Sequence, residues 1–337
     1  MFLLAALFFA GCGEQYSFDH SPYPLSTKEG WPDVNIPENN PLTNASVALG
    51  KKLFYDTRLS KDGSISCASC HLAEHGFSDP RLKSEGIEGR LGFRNSGTLT
   101  NVAFLPYFNR DGGVKKLDLF ATVPIEDEDE MGHNLVLLKE DLLTDHYYTA
   151  AAKAIYNRSP DAFVVSRALG SFLRTFISNN SKYDQFLESK DSTLFSVEEQ
   201  RGMQLFYSDK AQCASCHSGI LFTDIEFHNN GLYANYVGKD RGRERITLDS
   251  IDQGKFRTAT LRNVELTAPY MHDGSLATLE DVLNHYSNNG KKHFAQDDRI
   301  GKIHLDDKEK TAIIAFLKTL TDQSFITNTK FTPLPSL

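Results

Sequence analysis

Two copies of one pentapeptide carry reactive groups at fixed spacing: Cys67-Ala68-Ser69-Cys70-His71 and Cys213-Ala214-Ser215-Cys216-His217. Cys-x-x-Cys-His is the attachment signature of c-type haem. The two thiols form thioethers with the vinyl groups, and the adjacent imidazole offers an axial nitrogen to iron. A zinc ribbon wants its cysteine pairs about 15 to 20 residues apart, far closer than these two pairs stand. A thioredoxin-type dithiol needs a βαβ context, which a mainly helical chain does not offer. Cys67, Cys70, Cys213 and Cys216 are therefore expected to bind two haem c groups covalently, with His71 and His217 as proximal ligands. The sixth position decides the rest, because a saturated iron only passes electrons while an open one binds a small oxidant.

The elements that must hold these motifs are written twice. Gly50 to Tyr55 (GKKLFY) precedes the first motif and is echoed by Gly202 to Tyr207 (GMQLFY) before the second. Thr98 to Gly112 aligns without a gap on Thr260 to Gly274, sharing Thr, Leu, Asn, Val, Asp and Gly in register. Two homologous modules are expected, with a boundary near residues 188 to 196. Ser196-x-x-Glu199 and Asp306-x-x-Glu309 are capping-box starts, and Ile313, Phe316, Leu317 and Leu320 share one helical face. Val164 to Ile177 reads as helix, and the Gly- and Asp-rich stretch 218–258 as loop. A helix capped by Thr278-x-x-Asp281 would set Leu279, Val282, Leu283 and Tyr286 on one buried face and turn His285 away. The expected fold class is mainly α, with two cytochrome c-like helical domains related by internal duplication. They would span 46–190 and 191–325, behind an arm at 12–45 whose Pro, Asn, Ser and Asp content reads as a tether or wrapping segment, the folded part starting near Val47.

At 337 residues and 40% hydrophobic content the chain can bury two ordinary cores. A net charge of −8 with scattered Lys and Arg leaves no patch for nucleic acid. Met1 to Gly11 is almost wholly apolar, too short to span a bilayer, and reads as a signal peptide. Phe9-Ala10-Gly11-Cys12 resembles a lipobox, which would make Cys12, the odd cysteine, a lipid anchor. A plain signal peptide with an incidental Cys12 is the alternative; the basic residues usual at a signal's start are missing. Either places the chain in the periplasm.

Both CxxCH sites, Phe93-Arg94-Asn95, Glu130-Met131-Gly132, and Leu261-Arg262-Asn263 through Pro269-Tyr270-Met271-His272-Asp273-Gly274 together resemble the bacterial diheme cytochrome c peroxidases and their MauG-like relatives. The resemblance covers about residues 45 to 321. It implies that the His71 haem is peroxidatic and the His217 haem transfers electrons. Many such peroxidases block the first haem with a His seven residues before the Arg of the Arg-Asn pair, which here is Ile87. A hydrocarbon cannot ligate iron, so the His71 haem is expected to be open; His75, only four residues past His71, reads as a surface or propionate-side residue. Glu130 corresponds to the distal acid that moves the peroxide proton, although Glu126 to Glu130 is also a charge run that reads as a solvated loop. The Gln that usually accompanies the acid aligns with Phe120. The second haem's sixth ligand, Met in peroxidases and Tyr in MauG, falls at Tyr286, with a core tyrosine and Met271 or His285 as ligand left open. The Trp that usually precedes Asp-Gly is Arg110, and the chain's only Trp is Trp31 in the arm. Tyr107 or Phe108 could stand in as a relay, though both also read as core. The resemblance further implies a Ca²⁺ held by Asn95, Thr267 and Pro269, a homodimer, H₂O₂ as substrate, and a small cytochrome c or cupredoxin as electron donor.

Three functions follow. A peroxidase uses the open haem and Glu130. A MauG-like oxidase of a protein or small organic substrate is favoured by Ile87 and Tyr286 and disfavoured by the missing Trp. A non-catalytic electron-transfer cytochrome needs neither Ile87 nor Glu130.

Overall fold

The helix Asn44–Phe54 starts where the Thr43 side chain takes the Ser46 amide and the Ser46 side chain reciprocates. The same reciprocal cap opens Lys182–Ser189, Val197–Phe206, Leu279–Ser287 and Asp307–Lys318. The caps expected at Ser196, Thr278 and Asp306 are all formed. In this computed structural model residues 16–25 and 27–333 are described; the expected leader Met1 to Gly11 and Cys12 lie outside the described residues. Among the described residues no helix is long and apolar enough to cross a membrane.

Two helix crossings organise the chain. Asn44–Phe54 packs on Ala162–Leu173 at Gly50, where an added Cβ would lie 1.9 Å from the Ala168 carbonyl oxygen. Val197–Phe206 packs on Asp307–Lys318 at Gly202, where the corresponding distance to the Ala312 oxygen is 1.9 Å. Glycine is required at both because the backbones nearly touch. Around the first crossing lies an apolar cluster with Leu49, Phe54, Leu169, Phe172 and Phe176, and around the second one with Phe206, Phe222, Ile313, Phe316 and Leu320. Gly202→Ala is expected to cost about 2–4 kcal/mol, read as a lower thermal midpoint of the haem-loaded protein. Gly301→Ala, where nothing lies within 4 Å of the added carbon, should leave the midpoint unchanged.

The chain is helix-rich with few strands. The regular strands among the described residues are Phe227–His228 and Phe256–Arg257, paired antiparallel with Phe227 opposite Arg257. They lie inside the stretch expected to be loop, which also contains the short helix Glu244–Thr247. The helix expected over Val164 to Ile177 runs from Ala162 to Leu173.

One expectation needs correction. The arm is packed: Trp31 lies 5.6 Å from Phe104 and 4.7 Å from the Arg262 guanidinium, and Phe18, Tyr23 and Leu25 rest on the first cluster. Apolar rings spaced through a polar stretch let it bury surface without regular structure. Near residue 325 the chain returns to the first half: Phe325 and Phe331 belong to the first cluster, and the Tyr55 hydroxyl donates to the Phe331 carbonyl. Asn263 ties this return in place, accepting from the Asp322 amide at 2.8 Å and donating to Ser178 at 3.0 Å.

Candidate active site

Each CxxCH motif opens as a short 3₁₀ turn, Cys67–Ser69 and Cys213–Ser215. His71 Nδ1 lies 2.9 Å from the Phe77 carbonyl oxygen and His217 Nδ1 3.2 Å from that of Phe222. A carbonyl only accepts, so Nδ1 carries the proton and Nε2 is left free for a metal. Enclosure by protein pushes both imidazoles below the usual histidine range, toward the neutral, ligating form. Phe77 and Phe222 sit at φ 57° and 53°, an uncommon conformation for a bulky side chain, and both are fully buried. Packing of those rings into the two clusters holds the backbone in the conformation that aims each carbonyl at its histidine.

A second device repeats. Arg81, ion-paired to Asp79 at 2.7 Å, donates to the Ser69 carbonyl at 2.9 Å. Arg299, ion-paired to Asp297 at 2.6 Å, donates to the Ser215 carbonyl at 2.7 Å. Each guanidinium clamps the carbonyl just before a second cysteine. The shared Asp-x-Arg spacing was visible in the chain, but nothing in it pointed to those carbonyls.

Each motif faces its own cavity. The first, about 690 Å³ counting its mouth, is lined by Cys67, Cys70, His71, Phe120, Glu130 and Met131 among others. The second, about 1810 Å³ on the same measure, includes Cys213, Cys216, His217, Met271 and Tyr286. Burial pushes the Cys67 and Cys213 thiols up to about 12, so they are neutral, and none of the four is in a disulfide. Paired thiols and a free Nε2 at the wall of a largely apolar cavity fit a covalently held haem in each half. Cys216, Asp224 and His228 also bring ligand atoms within 4.8 Å of one another. That grouping is explained without an ion, since His228 is held between Asp224 at 2.8 Å and Asp297 at 2.9 Å.

Glu130 is on the wall of the first cavity, with its carboxyl pushed up to about 7, first by burial and then by Asp127 and Asp129. It is thus set apart from its neighbours in the charge run. The loop is drawn over the cavity by the Ile87 amide, which donates to the Glu130 carbonyl at 2.8 Å, and by Gly86, where a Cβ would lie 2.2 Å from the Asp129 oxygen. Ile87 is buried, its side chain against Gly132 rather than on the cavity wall. His71 is the one imidazole among the residues lining that cavity; His75 is not among them. Phe120 lines it too, stacked on Phe108 at 5.3 Å, which gives Phe108 a packing role. Tyr107 packs against Phe227, 6.0 Å away.

In the second cavity Leu279, Val282, Leu283 and Tyr286 share the wall, as the capped helix implied. His285 turns away, its Nε2 lying 2.9 Å from the Asn230 carbonyl oxygen. Met271 faces the cavity, but its sulfur already accepts from Asn230 at 3.0 Å. Burial pushes the Tyr286 phenol up to about 12, while a hydrogen bond with the Asn230 side chain pulls the other way.

The expected Ca²⁺ donors do not fit that ion in this arrangement. Asn95, Thr267 and Pro269 do share the second cavity's wall. The Asn95 side-chain oxygen, however, accepts from Arg110 at 3.1 Å, and its amide nitrogen donates to the Arg81 carbonyl at 3.2 Å. A cationic side chain already holds the Asn95 side-chain oxygen.

Residues 44–192 match the family described as di-haem cytochrome c peroxidase. The methylamine utilization protein MauG of Methylorubrum extorquens is 36% identical over 85% of this chain and 81% of its own length. The cytochrome c551 peroxidase of Nitrosomonas europaea is 33% identical over 82% of this chain and 80% of its own. Among solved structures, a MauG-like protein associated with microbial copper homeostasis superposes with a TM-score of 0.87 at 32% identity, covering 92% of this chain and 99% of that one.

Proposed function

The chain belongs to the di-haem cytochrome c peroxidase family, which takes in MauG, and from that premise we propose that it reduces hydrogen peroxide to water at the His71 site. Each turnover takes two electrons and two protons for two waters. The observation that carries the reading is Glu130, with its raised pKa, facing a cavity in which His71 is the one imidazole among the lining residues. Haem bound at the two motifs would supply electron transfer at both sites and O–O cleavage at the open one. The protein's part is positional. His71 Nε2 and His217 Nε2 are oriented by the Phe77 and Phe222 carbonyls. The Glu130 carboxylate takes the proton from the near peroxide oxygen and returns it to the departing one. Phe120 and Met131 keep the wall around it apolar.

Gly86→Ala should displace the 129–130 backbone, move Glu130 off the wall, and slow the reaction with peroxide about tenfold, while haem content stays at wild-type level. Stopped-flow mixing of the haem-loaded variant with H₂O₂ measures it.

Tyr286 on the second cavity favours a second reading, a MauG-like oxidase of a protein or organic substrate. Peroxide-dependent oxidation of a reduced small cytochrome c or cupredoxin, under steady-state conditions, separates the two. Rapid donor oxidation supports the peroxidase; an idle donor, with peroxide consumed only when an oxidisable protein or organic substrate is added, supports the oxidase. We further propose that the two halves arose by duplication, supported by the paired glycine crossings and left-handed phenylalanines. Export to the periplasm with Cys12 as a lipid anchor also belongs to this proposal.

A further inference from the structure

Ser96 lines both cavities, so the segment around it forms part of the wall they share. Arg110 is packed against that segment. One terminal nitrogen donates to the Asn95 side-chain oxygen at 3.1 Å and to the Asn95 carbonyl at 3.3 Å. The guanidinium lies over Gly97, its Nε, central carbon and a terminal nitrogen 3.8 to 4.0 Å from where a Cβ would stand. The Arg110 carbonyl accepts from the Arg257 amide at 2.8 Å, which joins this seat to the second half of the chain. Among the described residues no carboxylate pairs with Arg110, and its Nε is enclosed without an acceptor. Nearby Arg94 contrasts with it, paired to both Asp111 and Asp240.

An unpaired cation in a shared wall is costly unless neutral oxygens or a further anion replace its water. Asn95 supplies two such oxygens, and its own amide group is fixed in orientation by the Arg81 carbonyl. Guanidinium remains charged in proteins and suits planar oxygen acceptors near 3 Å. A divalent hard cation instead needs about six to eight oxygens at about 2.3–2.6 Å. It would have to share the Asn95 oxygen with a positive group and stand close to Arg94 and Arg257 as well.

We infer that the Arg110 guanidinium is the resident cation of this seam, held by Asn95 where the resemblance implies Ca²⁺, so that the junction of the two sites is built without a metal. The inference rests on the Asn95–Arg110 geometry and not on peroxide chemistry, and ion content is measured without turnover.

The test is calcium content. The wild-type two-haem protein is incubated with excess Ca²⁺, desalted, and analysed by elemental mass spectrometry; haem optical and EPR spectra are recorded before and after EGTA. The expected result is calcium far below one ion per chain and spectra indifferent to EGTA. Arg110→Gln, which removes the charge, should gain about one bound Ca²⁺ per chain, seen also as Tb³⁺ luminescence, while Arg110→Lys stays calcium-free. Wild-type protein that retains about one Ca²⁺ per chain, lost to EGTA with a change in the haem spectra, overturns the inference. So does an Arg110→Gln protein that carries both haems yet binds no ion. If neither variant folds, the wild-type measurement alone decides.

Discussion

Glu130→Gln slows the reaction of the haem-loaded protein with peroxide by about 10²- to 10⁴-fold at neutral pH, with both haems still attached. Glutamine keeps the size and polarity of the side chain and removes only its capacity to take a proton. The pH profile carries the sign. Burial, with Asp127 and Asp129 adding to it, pushes the Glu130 carboxyl up to about 7, so the neutral form prevails below that pH. A proton acceptor must be ionised, so the wild-type rate should rise as pH increases through about 7 and then level off. Glu130→Gln should be flat across the same window. Stopped-flow absorbance in the Soret region checks both. A variant that retains the wild-type rate and its pH dependence would remove Glu130 from the chemistry.

Tyr286→Met raises the reduction potential of the His217 haem by on the order of 100 mV or more. Phenolate is a hard anionic donor that favours ferric iron, whereas a thioether favours the reduced state. The helix Leu279–Ser287 brings Tyr286 to the cavity wall, and its hydrogen bond with Asn230 favours the ionised phenol against the burial that opposes it. Spectroelectrochemical titration of each haem gives the measurement. A potential unmoved by Tyr286→Met but shifted by Met271→Ala would make Met271 the ligand, even though its sulfur accepts from Asn230.

Legibility in the sequence divides along physical lines. The helix starts at Ser196, Thr278 and Asp306 could be read because a capping box is local: both partners lie within one turn. The cavity-facing run through Tyr286 could be read because helical periodicity carries it. Glu130 could not be told from its acidic neighbours by spacing; resemblance singled it out, and the structure distinguishes it by burial. The left-handed Phe77 and Phe222 left no trace, since nothing in local preference asks a phenylalanine to adopt positive φ. Tertiary packing imposes it. The role of Gly86 depends on a backbone more than forty residues away. The return of Phe325 and Phe331 to the first cluster, and the seating of Arg110 on Asn95, are likewise contacts between distant segments that no local pattern encodes.

The proposed activity requires one open haem site beside a proton-accepting carboxylate. EPR of the as-isolated ferric protein, followed by rapid mixing with H₂O₂ and freeze-quenching, tests it most directly. The expected result is a high-spin signal from the His71 haem that peroxide removes quickly, alongside a low-spin signal from the His217 haem. Two low-spin centres that peroxide leaves unchanged would contradict it and leave the chain an electron carrier.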